Sequence, residues 1–477
     1  MDSVSEQSLY LKIAHGIEEL IDVGALRPGD RIPSVRQLSR QHKVSRPTVL
    51  HAYTVLENRR LIEAKPRSGF YVRSRLARIW SAPAILNRAL SPQSLDEFPP
   101  LMAMVADVTN PRFVPMGGAN PSSELLPGKK LSRIVAGISR GQTSVAINYD
   151  PVPGCPRLRH EISRRSLDWG CYLQPDDFIL TNGATEALHL SLSAITKPGN
   201  TVIVEAPTYY GLLNILSHLK LRVIAIPSPP EEGLDIVAVE SALDREPVCA
   251  IIVVPNFSNP LGSLMPERTR IQLLALASKR KVPILEDDIY GDLQHEGPRP
   301  RCLKALDKAD GVILCGSFSK TLAPGYRAGY VVAGRYHQKI AQMKNAFSFG
   351  GAPLPLMAVA EFLRNGGYDR HLRTLRVSFR DQVSKMREAL EVEFPKDTKI
   401  NNPRGGFLIW VELPPRVDAL TLFHRARDAN ISIAPGHLFS PAAEFKNFIR
   451  VSCGHAWSVH IEEAVGTLGK FISRLLH

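Results

Sequence analysis

Apolar positions near the start of the chain recur at the spacing of helix faces. Leu9, Ile13, Ile17, Leu20 and Ile21 predict a first helix that stops near Gly24, before the turn Arg27-Pro28-Gly29-Asp30. A second helix is expected after Pro33, capped by Ser34, with Val35 and Leu38 inward and an end around His42. A third starts at Ser45 and carries Val49, Tyr53 and Leu56 on one face; Pro47 falls in its first turn, where a missing N–H costs little. Two strand-like runs follow, Leu61-Ile62-Glu63-Ala64 and Phe70-Tyr71-Val72, joined by the basic turn Lys65-Pro66-Arg67-Ser68-Gly69. The unit reads as helix, helix, turn, helix and a two-stranded wing.

Between about Leu76 and Pro100 the periodicity breaks at Pro83, Pro92, Pro99 and Pro100, which predicts a semi-extended linker. Its apolar residues Ile79, Trp80, Ile85 and Leu86 imply that part of it docks. Beyond Pro111 strand-like runs alternate with amphipathic helical stretches. The runs are Phe178-Ile179-Leu180, Thr201-Val202-Ile203-Val204, Ile251-Ile252-Val253-Val254, Val282-Pro283-Ile284-Leu285 and Val312-Ile313-Leu314. This predicts an α/β fold with a largely parallel sheet, whose ligand would lie at the carboxyl ends of the strands. The expected organisation is a helical, winged domain over 1–75, a linker over 76–111 and an α/β domain over 112–477.

A chain of 477 residues exceeds what one core usually supports, and 44% hydrophobic with 22% charged residues is ordinary globular composition rather than disorder. The N-terminus lacks a basic segment leading into an apolar core, and no apolar run reaches membrane-spanning length, so a cytoplasmic protein without membrane contact is expected. The six cysteines are dispersed with no CxxC pair, which argues for reduced, partly buried thiols and against a metal site or a disulfide framework. Of the net charge of +13, an excess of nine lies between Arg27 and Arg75, where twelve lysines and arginines face only Asp30, Glu57 and Glu63. A basic field that concentrated attracts phosphate polyanions, although a merely soluble basic face would carry the same charge.

The segment from Arg-Ile-Pro-Ser-Val-Arg-Gln-Leu through Val-Ser-Arg-Pro-Thr-Val to Ser-Gly-Phe-Tyr-Val resembles the GntR family of winged helix-turn-helix domains over about 65 residues. The resemblance implies that Arg36 and Arg46 reach base edges or phosphates of double-stranded operator DNA, that Ser45 and Thr48 bond phosphates, and that Gly69 lets the wing approach the minor groove. Planar guanidinium groups suit both guanine and phosphate. Pro47 and Leu50 depart from residues common in the family, so base preference does not carry over.

In the α/β domain, Asn182-Gly183-Ala184-Thr185-Glu186 follows a strand and opens a helix, which aims free N–H groups at an anion. With it stand Glu205-Ala-Pro-Thr-Tyr-Tyr-Gly211, Asn256-Phe-Ser-Asn-Pro-Leu-Gly262, Glu286-Asp-Asp-Ile-Tyr290 and Ser317-Phe-Ser-Lys320, with Arg327 seven residues on. In this order they resemble the fold-type I pyridoxal-phosphate enzymes, the aspartate aminotransferase superfamily, from about residue 112 to the end. That fold is a mixed, mostly parallel sheet with flanking helices and a small C-terminal subdomain. By this resemblance Lys320 forms the Schiff base with pyridoxal 5′-phosphate and Asp287 pairs with the pyridine nitrogen. Asn259 and Tyr290 hold the phenolic oxygen, and Tyr209 stacks on the ring. Ala184, Thr185, Ser317 and Arg327 cradle the phosphate, while Tyr149 reaches the phosphate of a neighbouring subunit, implying a homodimer. Arg450, in Phe448-Ile-Arg-Val-Ser452, is the expected anchor for a substrate carboxylate. Asp288 reads as a structural neighbour and Tyr210 as a core residue.

The fusion resembles the MocR subfamily of regulators. Membership implies a transcription regulator, typically a head-to-tail dimer, that senses an amino acid, an amine or the cofactor itself without sustained transamination. On this reading the ligand's amine displaces Lys320, the site closes around a ligand held by Arg450, and the spacing of the DNA readers shifts. The alternative is a working aminotransferase that carries a DNA-binding domain. A vestigial pocket is disfavoured by the intact set Lys320, Asp287, Asn259, Tyr290 and Arg327.

Overall fold

The computed structural model describes residues 3–22, 25–26, 30–58, 61–65, 68–72, 82–84, 91–95 and 99–477. The chain divides into two compact units, Met1–Ile79 and Trp80–His477. Gly24, Arg27, Pro28, Gly29, Pro66, Arg67, Ile79, Trp80, Ile85 and Leu86, on which several expectations rest, lie outside the described residues.

The first unit contains helices α1 (Ser3–Asp22), α2 (Val35–Gln41) and α3 (Arg46–Asn58) and a hairpin of β1 (Ile62–Lys65) and β2 (Gly69–Val72). Its core gathers Ile13, Ala14 and Ile17 of α1 with Leu38, Val49, Ala52, Tyr53 and Leu56, closed by Ile32, Leu61, Ile62 and Val72. The α1 stripe is narrower than its spacing implied: Leu9 and Leu20 are exposed, and Ala14 completes the buried face. Ser34 caps α2 by accepting from the Gln37 amide at 3.3 Å. The hairpin is held to α3 by Tyr53, which packs edge-on against Phe70, and to the segment before α2 by backbone bonds from Ile32 to Phe70 and from Val72 to Asp30.

In the second unit a helix α4 (Pro99–Thr109) stands inside the segment expected to be linker. Proline is well tolerated at the first helical positions, and Met104 of α4 is fully buried while Asp107 takes both Nε and Nη2 of Arg427, at 2.6 and 3.1 Å. Upstream, Gln93 bridges to Val223 and the Ala84 amide donates to Glu412, so these pieces pack on the same unit.

The main sheet has seven strands: β3 (Phe178–Asn182), β4 (Thr201–Ala206), β5 (Arg222–Pro227), β6 (Val248–Val253), β7 (Ile284–Asp287), β8 (Val312–Ser317) and β9 (Ala328–Val332). Their spatial order is β3-β9-β8-β7-β6-β4-β5, with β9 antiparallel to both neighbours and the remaining pairs parallel. Alternate residues feed two apolar layers: Val202, Val204, Val223 and Ile252 on one face, Ile203, Ile224, Ile251 and Val253 on the other. Burial on both faces is what makes the strands read as continuous apolar runs. A smaller sheet, β10 (Lys399–Ile400), β11 (Leu408–Glu412), β12 (Ala434–Pro435) and β13 (Phe448–Ser452), has the order β10-β11-β13-β12 and forms the C-terminal subdomain. Because β3, β4, β6, β7 and β8 run the same way, the segments after Asn182, Ala206, Val253, Asp287 and Ser317 all emerge at one edge, where β9 begins just after Arg327. Among the described residues no helix is long and apolar enough to cross a membrane, and no cluster of His, Cys, Asp or Glu could hold a metal ion.

Candidate functional site

In the first unit, α3 presents Arg46, Pro47, Leu50, His51 and Thr54 on one exposed face, opposite Val49, Ala52, Tyr53 and Leu56. Arg36 on α2 and Ser45 are also exposed. Thr48 differs from expectation: it is buried and its hydroxyl pairs with Ser45 Oγ at 2.7 Å, while the Thr48 amide donates to the same Ser45 oxygen. Its main work is therefore to close the N-terminal cap of α3, leaving Ser45 as the accessible hydroxyl. Gly69 has φ +111°, a conformation L side chains rarely adopt, and a Cβ there would press on the Arg31 guanidinium at 3.3 Å. Leu50 and His51 carried no sequence signal of function; only the exposed side of the helix singles them out.

In the second unit a cavity of about 160 Å³ lies at the carboxyl edge of the main sheet. Its walls bring together Ala184, Thr185, Tyr209, Asn259, Asp287, Tyr290, Lys320 and Arg327 from segments up to 143 residues apart, with Ala119 and Ser319 added. Ala184 and Thr185 open helix α5 (Ala184–Ile195), whose first N–H groups have no intrahelical acceptor and carry the positive end of the helix dipole. Gly183, at φ +80°, lets the Arg327 guanidinium lie against the backbone: a Cβ at 183 would stand 2.4 Å from Arg327 Nη2, which donates to the Asn182 carbonyl at 2.9 Å. Arg327 Nη1 approaches Ser319 Oγ at 3.4 Å. The hydroxyl on the cavity wall is thus Ser319, whereas Ser317 bonds the Ala328 carbonyl and the Ser319 amide beneath it.

Asp287 sits at the end of β7, buried, with Oδ1 lacking any partner. Burial, reinforced by the adjacent Asp288 carboxylate, pushes its carboxyl up to about 7, against the opposing pull of the Ile289 amide and Lys320. Lys320 is lowered to about 8, first by burial and then by the positive charges of Arg450 and Arg327, with Asp287 pulling the other way. Its Nζ donates to Asn120 Oδ1 at 3.3 Å. Burial also raises the phenols of Tyr209 and Tyr290, so both remain protonated donors. Asp288 is structural, bound by Asn256 Nδ2 at 2.8 Å and paired with Arg299. An orphaned acid, a lysine that sheds its proton easily, and a helix N-terminus beside an arginine suit a phosphorylated pyridine carrying an aldehyde. The donor set therefore fits the expected cofactor.

Besides Ser317, two expected residues stand apart from the cavity. Arg450 is completely buried: Nη1 donates to Asn259 Oδ1 at 3.1 Å, Nη2 to the Gly117 carbonyl, and the guanidinium lies over the rings of Tyr210 and Phe439. Its hydrogen bond to the cavity wall runs through Asn259, and its charge is felt by Lys320. Tyr149 is 86% exposed and meets Phe349 rather than the cavity of its own chain. Reading the sequence missed the Met116–Asn120 stretch, which supplies Gly117 to Arg450, Ala119 to the wall and Asn120 to Lys320; its Gly117-Gly118 pair was the available signal, since a Cβ at 117 would clash with Ser432.

The family profile of bacterial regulatory proteins, gntR family, matches residues 9–72, and that of aminotransferase class I and II matches residues 125–468. The chain is 36% identical over 467 residues to the uncharacterized HTH-type transcriptional regulator YjiR of Escherichia coli (strain K12), covering 98% of this chain and 99% of the relative. It is 33% identical over 370 residues to the 2-aminoadipate transaminase of Thermus thermophilus, covering 77% and 91%. Among solved structures, LysN, an alpha-aminoadipate aminotransferase from the same organism complexed with N-(5′-phosphopyridoxyl)-L-leucine, superposes with a TM-score of 0.72 at 30% identity, covering 78% of this chain and 97% of that one. The kynurenine aminotransferase of Pyrococcus horikoshii gives 0.74 at 28% identity, covering 80% and 96%. With a GntR reader at one end and a class I and II aminotransferase domain making up most of the rest, the chain belongs to the helix-turn-helix transcription regulators of MocR architecture.

Proposed function

We propose that this regulator is gated by an amino acid or amine recognised in the Lys320 cavity with pyridoxal 5′-phosphate as cofactor, and that it acts in the cytoplasm as a homodimer on operator DNA. When bound, the cofactor supplies an electrophilic carbonyl carbon and an electron-withdrawing ring. Lys320 would hold it covalently: at about 8, roughly one lysine in ten is neutral at pH 7, against about one in three thousand for an ordinary lysine. Asp287 would keep a proton on the ring nitrogen, Asn259 and Tyr290 would hold the phenolic oxygen, and Tyr209 would flank the ring. The α5 N-terminus at Ala184 and Thr185, with Arg327 and Ser319, would receive the phosphate.

The observation that carries this reading is the buried, partnerless Oδ1 of Asp287 in the same cavity as Lys320. Arg450 would grip the ligand carboxylate by exchanging Asn259 and Gly117 for it, a trade a two-pronged guanidinium makes well. A ligand gates DNA affinity only as far as it prefers one state of the protein over another, and loosening the Arg450–Asn259 contact offers such a difference. Dimerisation is supported by the exposed apolar residues Val145, Ile147, Tyr149, Phe347 and Phe349, which flank the pairing of residues 150–151 with 350–351. For DNA, the exposed Arg36, Ser45 and Arg46 and the wing at Gly69 are the proposed contacts, with Leu50 available to a thymine methyl.

The test is the visible spectrum of the purified, cofactor-loaded protein, titrated with a panel of amino acids and then given a keto acid. A lasting shift with one ligand and no turnover is expected. Repeated turnover would favour a working aminotransferase, a reading supported by the similarity to the Thermus thermophilus transaminase. Absence of a chromophore would overturn the cofactor assignment.

A further inference from the structure

A second groove, of about 490 Å³, shares no lining residue with the Lys320 cavity. Arg380 and Arg387 reach it from the long helix α6 that follows, in chain order, α5 and a helix at 353–364; α6 spans Gly367–Glu393, and Arg404 enters from the turn before β11. Glu296 is the one acidic residue lining it among the described residues. Arg380 and Arg404 are exposed at the rim, and Arg380 makes a loose 3.9 Å contact with the half-buried Asp381. Arg387 lies deeper. Its Nη1 donates to Asn402 Oδ1 at 3.0 Å, but its Nε is closed off from water with no acceptor, and the Oε1 of Gln294 beside the same groove is likewise unmatched. Glu388 and Glu391 offset part of the Arg387 charge from their positions on the helix. Burial, reinforced by the charge of Arg380, holds His295 below the ordinary imidazole value, against the opposing pull of the Gly406 carbonyl 2.8 Å from its Nε2.

We propose that this groove is a second ligand site, taking a small oxyanion with carboxylate or phosphate groups that Arg387 and Arg404 grip. Guanidinium groups converging from two elements match such an anion in the bidentate manner. The floor of the groove links it to the first cavity. Phe257 is buried there, packed so closely on Gly405 that a Cβ at 405 would come within 2.5 Å of its ring. Its chain neighbours are Asn256, bound to Asp288, and two residues on, Asn259, bound to Arg450. An anion pressing on Phe257 therefore bears on the loop that presents Asn259, and coupling between the two sites would be reciprocal. This linkage rests on the cofactor reading; the site itself does not.

Calorimetric titration of the cofactor-loaded full chain with citrate, and separately with pyrophosphate, tests the site with the phosphate cradle at Ala184 already filled. Saturable heat is expected for at least one of the two, and which one tells carboxylate from phosphate recognition. Affinity should fall about tenfold or more in Arg387→Gln and in Arg404→Ser. Arg404 is exposed, so its variant remains informative if Arg387→Gln misfolds. No saturable heat with either anion, or parent-like affinity in both variants, overturns the proposal. The visible absorbance, read in the same samples, reports separately whether the cofactor is in place.

Discussion

Replacing Asp287 with Asn should stabilise the protein stripped of cofactor while weakening its hold on the cofactor. The carboxyl rises from 3.8 to about 7 in the fold, because burial and Asp288 disfavour its charge. A carboxyl whose folded value exceeds its unfolded value binds its proton more tightly when folded. Its contribution to stability therefore falls as pH rises from about 4 to about 7, and stays low above that. A gap of roughly three units corresponds to about 4 kcal/mol of cost at pH 8 and almost none at pH 4. Asparagine keeps the shape without the charge, so the variant should recover most of that cost at pH 8. For a unit of this size that is a rise in melting temperature of roughly 5 °C, vanishing toward pH 4. In the loaded protein the order should reverse, since asparagine cannot neutralise a protonated ring nitrogen. Differential scanning calorimetry of parent and variant, stripped and loaded, at both pH values reads all four cases. A stripped variant that melts at or below the parent at pH 8, or gains equally at both pH values, would refute the reasoning.

Gly183→Ala places a Cβ 2.4 Å from Arg327 Nη2 at φ +80°; it should cost about 1–3 kcal/mol by thermal melting and weaken cofactor binding. Arg46→Ala should lower affinity for DNA selected from a random pool about tenfold or more by gel shift, with the visible spectrum unchanged; loss of both signals would point to misfolding. Ile147→Glu, at a position 79% exposed in the apolar patch, should shift the sedimentation coefficient toward a monomer; an unchanged oligomer would remove that patch from the interface.

The helices of the first unit and the five motif-bearing strands were legible because periodicity and strand-end motifs speak directly of local structure. What was not legible depends on packing. Strand β9, Ala328–Val332, begins right after the Arg327 motif, and its Gly329 is dictated by the backbone of Gly183: a Cβ there would come within 2.6 Å of it. Strand β5, Arg222–Pro227, sits at the sheet edge and carries no polar motif at its end. Helix α4 was hidden by prolines that ended one pattern while starting another. Helical spacing placed Leu9 and Leu20 on the α1 stripe, but only the fold decides how wide a stripe its partners cover. In the site, motif order identified the residues, yet which hydroxyl of Ser317-Phe-Ser319 faces the cavity and whether Arg450 is open or covered are set by tertiary contacts. The cysteines show the same limit: Cys171 and Cys302, remote in sequence, place their Sγ atoms 3.2 Å apart.

The proposed function stands or falls on whether chemistry at Lys320 controls DNA binding. The direct test measures the affinity of the full, cofactor-supplied chain for DNA selected from a random pool, with and without the amino acid that shifts its visible spectrum, in the parent and in Lys320→Ala. A change of about fivefold or more is expected in the parent, the scale of an ordinary allosteric coupling, and none in the variant, whose basal DNA binding persists. An equal ligand response in both proteins would contradict it.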